Sequence, residues 1–164
     1  MMKIGICTPI ENISKMEEIG FDYIEPQMVS LNKMNDSEFF YFKNIVDNSN
    51  IKCEAFNVLF PGEIKLTGFN VNKQDVNEYI NKSFSRAEML GAKVIVFGSA
   101  NSRNVPDGFN KSEALKQLSE IAFIVGEAAD KYNLTVTMEP LNVKESNILN
   151  TVSEGLNFVE KLNH

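Results

Sequence analysis

Five short apolar runs, most of them rich in β-branched residues, alternate along this chain with longer amphipathic stretches. That is the pattern of a parallel sheet built from βαβ units. The runs occupy residues 3–8, 21–26, 51–60, 92–99 and 134–140. Between the first two, Ile13, Met16 and Ile19 recur at helical spacing and Gly20 provides the stop. Asp36 and Ser37 are placed to cap a helix carrying Phe39, Phe40, Phe42, Ile45 and Val46, an aromatic stripe that reads as helix packing. Residues 61–72 read as a loop. Val76, Ile80, Phe84, Ala87 and Leu90 then share one face of a helix over residues 74–90, which Gly91 ends. The run Val94 to Phe97 is apolar without alternation, which predicts a strand covered on both faces. A polar loop over residues 100–110 leads to a long helix at 112–132, and Leu156, Val159 and Leu162 mark a last helix at 152–162. No linker composition interrupts the chain, so residues 1–164 read as a single domain.

Two architectures satisfy five such units. A five-stranded doubly wound sheet is complete at 164 residues, whereas a closed (β/α)8 barrel needs ~250. Periodicity alone favours the open sheet. Against it, the first strand-to-helix turn, CTPIEN, has no glycine-rich phosphate cradle, and polar residues gather after the third, fourth and fifth strands.

Composition removes several function classes. A formal charge of −6 with no basic cluster leaves nothing to neutralise a phosphate backbone, which excludes nucleic acid as the expected partner. No window approaches the ~20 apolar residues of a membrane span, and the first dozen residues lack the form of a signal peptide, so the expected compartment is the cytoplasm. Cys7 and Cys53 both sit inside apolar runs and are expected to be buried, reduced thiols. His164, the single histidine, is the terminal residue beyond the last helix and is not read as catalytic.

The string TMEPLNVKESNILNT, residues 137–151, ends an apolar strand with Glu139 and continues with Asn142 and Glu145. It resembles the fifth-strand motif of the xylose-isomerase-like sugar isomerases and epimerases, in which Glu-Pro-Leu-Asn is followed by a second Glu and an Asn-Thr pair. FDYIEP at the second run, CEAFNVLFPG at the third and GAKVIVFGSANSRNVPDGF around the fourth are similar to the same family in order and spacing. The resemblance spans nearly the whole chain and selects the second architecture: an α/β fold, a partial TIM (β/α)8 barrel of five parallel βα units. It implies strands in the order 1-2-3-4-5, with Glu139 at their carboxyl rim, where barrel enzymes work.

What the resemblance implies about chemistry is specific. Glu139 would bind a divalent metal, Mn²⁺ or Mg²⁺, and exchange a proton with the sugar carbon beside the carbonyl. A carboxylate can act there as base, and an oxygen-rich site suits those ions. Glu145 and Asn142 would contact substrate or orient Glu139, while Val143 stands where the family often has Arg. Arg103, in the loop after the fourth strand, is the cation nearest that rim and the candidate for an anionic substituent, and Glu25 closes the second strand at the same rim. Asn57 and Ser99 occupy places where the related apurinic endonucleases look to have metal-binding histidines, which argues against the DNA-repair branch.

The family's metal site looks to take one ligand from each of its fifth to eighth strands. Only Glu139 matches, so the chain is expected to be part of a longer barrel, inactive by itself, with exposed strand edges that can pair with another copy. The expected activity of the longer form is metal-dependent isomerisation or 3-epimerisation of a small sugar or sugar acid. The alternative is a non-catalytic half-barrel that binds a polyol or a partner protein.

Overall fold

The computed structural model describes residues 2–164. Its elements follow the chain as β1 (Gly5–Cys7), α1 (Ile13–Ile19), β2 (Tyr23–Glu25), α2 (Met28–Lys33), α3 (Asp36–Asn48), β3 (Ala55–Phe56), α4 (Lys73–Met89), β4 (Val94–Phe97), α5 (Ala100–Arg103), α6 (Lys111–Lys131), β5 (Thr135–Met138) and α7 (Val152–Leu162). A single 3₁₀ turn, Ile10–Asn12, leads into α1.

All strand pairings are parallel. β1 runs beside β2 with Cys7 opposite Glu25, β3 pairs with β4, and β4 pairs with β5. Two parallel bridges, Tyr23 to Lys52 and Gln27 to Asn57, join β2 to β3. Four residues lead from Tyr23 to Gln27 (27 − 23) but five from Lys52 to Asn57 (57 − 52). The extra residue is a bulge in the third strand, and it interrupts the ladder there. The order is therefore 1-2-3-4-5, an arc of a barrel. A doubly wound sheet would have placed β1 between β2 and β3.

The convex face of the arc carries the core. Ile24, Phe56, Ile95 and Phe97 are buried among Ile13, Phe39, Ile80, Phe84, Leu118 and Ile121 from the helices. Phe84→Ala should cost about 3–5 kcal/mol, the usual range for deleting a fully buried ring. A loss of unfolding free energy in urea of less than a third of that would show a core able to collapse around the gap.

Four local readings are corrected. Asn35, rather than Asp36 or Ser37, caps α3: its side chain accepts from Glu38 N at 3.0 Å, and the Glu38 carboxylate accepts from Asn35 N at 2.8 Å. Asp36 is instead bound by Arg86, whose guanidinium also donates to the carbonyls of Leu31 and Met34. The short helices α2 and α5 occupy segments without helical periodicity; α5 lies inside the expected 100–110 loop. β4 is covered on one face only, with Ile95 and Phe97 buried and Val94 and Val96 half-exposed, because its other face looks into the open hollow of the arc. Of the aromatic stripe, Phe39 is buried and Phe42 partly so, but Phe40 is exposed.

Candidate functional site

β5 alternates in a way that fixes where Glu139 points. Val136 and Met138 pack towards the helices, while Thr135, Thr137 and Glu139 are exposed on the concave face. The carboxylate lies over Gly98 at the end of β4, where any Cβ would overlap Glu139 Oε2. The absence of a side chain at 98 leaves the carboxylate its present position, and any Cβ there would push it aside.

A buried cation holds the main chain beneath that carboxylate. Ser99 turns the chain with φ 52°, its hydroxyl accepts from Phe60 N at 2.9 Å, and α5 then carries Arg103 back under the rim. Arg103 is fully buried. Its Nη2 donates to the Glu139 carbonyl at 2.8 Å and its Nη1 to the Phe97 carbonyl at 3.2 Å, tying the ends of β4 and β5 together. Burial lowers its pKa to about 10, and the Glu139 carboxylate opposes that shift, so the group stays charged at neutral pH. Arg103 was expected at the rim as an anion contact. The structure corrects this: the side chain is fully buried, with Nη1 and Nη2 on main-chain carbonyls and Nε without a hydrogen-bond partner among the described residues.

The other two residues of the fifth-strand motif are brought to each other. The Asn142 amide donates to the Glu145 carboxylate, and both are exposed on the loop after β5, as is Val143. That loop is pinned by a reciprocal pair that the sequence reading did not single out. Asn147 accepts from Val105 N at 2.9 Å and donates to Val105 O at 2.8 Å, while Asn104 accepts from Asn147 N at 3.2 Å and donates to Glu145 O at 3.2 Å. Only the exchange of two complementary amides marks it, and sequence cannot show that before the loops are adjacent.

At the ends of the first two strands the rim opens into a cleft of about 350 Å³, and Cys7, Glu25 and Asn57 line it. Cys7 is not buried as expected. It is exposed, because alternation along β1 sets it on the face opposite Ile6, which packs against the core. Partial burial, and then the Glu25 carboxylate, raise the thiol pKa; the Glu139 carboxylate adds to this, and Asn57 works against it. One thiol therefore feels both rim acids. Cys53 is buried as expected, and burial raises its pKa to about 12. Asn57 Oδ1 is buried with no hydrogen-bond partner among the described residues. His164 lies outside the site, on α6, with Nε2 3.1 Å from Glu127 Oε1 and its ring edge-on to Phe123.

Among the described residues, no three His, Cys, Asp or Glu side chains gather as a metal site requires. The donors present do not by themselves fit Mn²⁺ or Mg²⁺. No helix of the described residues is long and apolar enough to cross a membrane.

With this geometry in hand, comparison with solved structures gives a D-psicose 3-epimerase crystallised in the presence of D-fructose, at TM-score 0.84 and 19% identity over 98% of this chain and 60% of that one. A 3-keto-D-glucoside 4-epimerase from E. coli aligns at TM-score 0.81 and 16% identity over 99% of this chain and 65% of that one. The IolI protein with a bound zinc atom aligns at TM-score 0.74 and 17% identity over 99% of this chain and 60% of that one. The chain thus spans about three-fifths of the length of these structures. No curated protein matches it in sequence. The parallel 1-2-3-4-5 arc, with its acid at the carboxyl rim, is accompanied by a family model that matches residues 13–164. On that match the chain belongs to the xylose isomerase-like TIM barrel family.

Proposed function

We propose that the protein carrying this chain is a sugar isomerase or 3-epimerase, with Glu139 as the group that moves the proton. The observation that supports this most directly is the placement of Glu139. It is an exposed carboxylate on the concave rim, given room by Gly98 and anchored through its own carbonyl by Arg103. In the proposed step the C–H bond next to the ketose carbonyl breaks. Its proton passes to Glu139, its electron pair delocalises onto the carbonyl oxygen, and reprotonation of the carbon completes the exchange. A divalent metal belongs to this reading as a cofactor whose ligands come mainly from outside these residues, and no step above is assigned to it. Glu145 and Asn142, exposed on the loop above, are the proposed contacts to substrate hydroxyls.

The test is solvent exchange. Ketoses incubated in D₂O with the full-length protein should gain deuterium at the carbon beside the carbonyl, and a panel of ketoses that gains none would refute the reading. A second expectation concerns Gly98. Gly98→Ala drives a methyl group into the Glu139 carboxylate. It should lower kcat about 10²-fold, the scale for a displacement of ~1 Å at the reacting group. Unchanged turnover would mean that the carboxylate does not need its present position.

A further inference from the structure

A second groove, of about 310 Å³, lies between α6 and α7, and its walls and floor all come from residues 111–161. Leu115 on α6 and Phe158 on α7 face each other across it, and Ile148 and Leu149 from the loop after β5 close the bottom. Ile148, Leu149 and Phe158 are buried, and Leu115 partly so. Leu149 is held at φ 54°, and its carbonyl accepts from Leu141 N at 3.1 Å. The floor therefore belongs to the same loop as Asn142 and Glu145.

Around that apolar floor stand Lys111, Lys116 and Lys161, with Glu154 as the one acid. Glu154 is already engaged. Its carboxylate accepts from Asn150 N at 2.6 Å and from Thr151 N at 3.0 Å as part of the box that caps α7. Those two amides, and after them the charge of Lys111, hold its pKa down. Lys161 stands seven residues further along α7 (161 − 154), ~10.5 Å at the helical rise. Glu120 is one turn from Lys116, but Lys73 binds its carboxylate at 2.8 Å. None of the three lysines makes an ion pair among the described residues. In a chain of net charge −6, unpaired cations around an apolar floor reverse the local sign.

We infer that this groove binds a small amphiphilic anion, a free medium-chain carboxylate whose acyl chain covers Ile148, Leu149 and Phe158 and whose head group is held by Lys116 and Lys161. Lysine suits the lip of such a groove, because its stem lies along apolar surface while the ammonium stays in water. The charge-assisted bonds it gives a carboxylate are the stronger kind, and the exposed Asn157 amide adds a donor at the same lip. The volume is at the lower end of the about 300–1,000 Å³ of small-ligand sites. Ten residues line the groove, whereas a stable protein interface takes about 20–30 a side, so a folded partner is the poorer fit. An inorganic anion would leave the floor uncovered.

The test is calorimetric titration of the full-length protein with hexanoate, octanoate, octylammonium and inorganic phosphate. Octanoate should bind, more tightly than hexanoate by about fourfold for each added methylene, while octylammonium and phosphate should not. Lys116 and Lys161 are both exposed on helices, so the double variant Lys116→Glu/Lys161→Glu should keep the wild-type thermal transition. It should lose at least about tenfold in octanoate affinity and bind octylammonium instead. No octanoate binding at millimolar concentration would overturn the inference. So would equal binding of octylammonium by the wild type, an affinity indifferent to chain length, or an affinity unchanged in the double variant. A protein that ignores octanoate but whose dimer is split by the double variant would show that the groove seats a second copy, and would overturn it as well.

Discussion

Glu139→Gln should reduce solvent exchange and epimerisation by the full-length protein by at least about 10²–10⁴-fold, the range that general acid–base catalysis supplies. The substitution keeps the shape of the side chain and removes only the proton acceptor and the charge. Stability should change little, because the carboxylate is exposed on the concave face and accepts no hydrogen bond within the described residues; what Gln gives up is the charge that favours the buried Arg103 guanidinium. The bond that holds this position runs through the main-chain carbonyl to Arg103, and Gln retains it. The diagnostic result is therefore a lost rate beside an unchanged thermal transition. If the variant retains more than about a tenth of the exchange rate, a single deprotonated acid is not the base, and Glu25, the other acid at that rim, becomes the candidate.

Arg103→Met should destabilise the fold by about 3–5 kcal/mol, combining a buried carbonyl left unpaired with imperfect refilling of a large, fully buried side chain. Two observations set that scale. The Glu139 carbonyl accepts from Arg103 alone among the described hydrogen bonds, whereas the Phe97 carbonyl keeps a bond from Glu139 N at 3.2 Å, so one acceptor rather than two is orphaned. At ~2–4 °C per kcal/mol for a chain of this length, the midpoint should fall by roughly 10 °C. Arg103→Lys should recover only part of the loss, since one ammonium lacks the fork that reaches both strand ends. A shift below about 1 kcal/mol for Met would mean that the burial cost of the cation had nearly cancelled its bonds.

What the sequence determined by itself was the succession of elements. β-branched runs of about half a dozen residues and apolar residues at helical spacing specify local structure through backbone sterics and burial, neither of which needs a distant partner. The helices α1, α4, α6 and α7 fall within a residue or so of their expected bounds, and the glycine stops at 20 and 91 have φ of 99° and 86°. The parallel arc and Glu139 at its rim were legible too, but through the order of motifs that resemble a family rather than through periodicity, which favoured an open sheet. The tertiary structure decided everything that depends on what lies across a strand. Arg103 reads as a surface cation in a polar loop, and only the left-handed turn at Ser99 and the four residues of α5 take it beneath two strand ends. Cys7 reads as a core thiol because its neighbours are apolar, yet strand alternation exposes it. The cleft beside it is walled partly by α2, six residues too short to show a helical period, and by a bulged third strand whose extra residue is visible only once its register against β2 is known. Local sequence can encode a helix or a strand, but the side a residue faces and the charge it meets there are set by neighbours dozens of positions away.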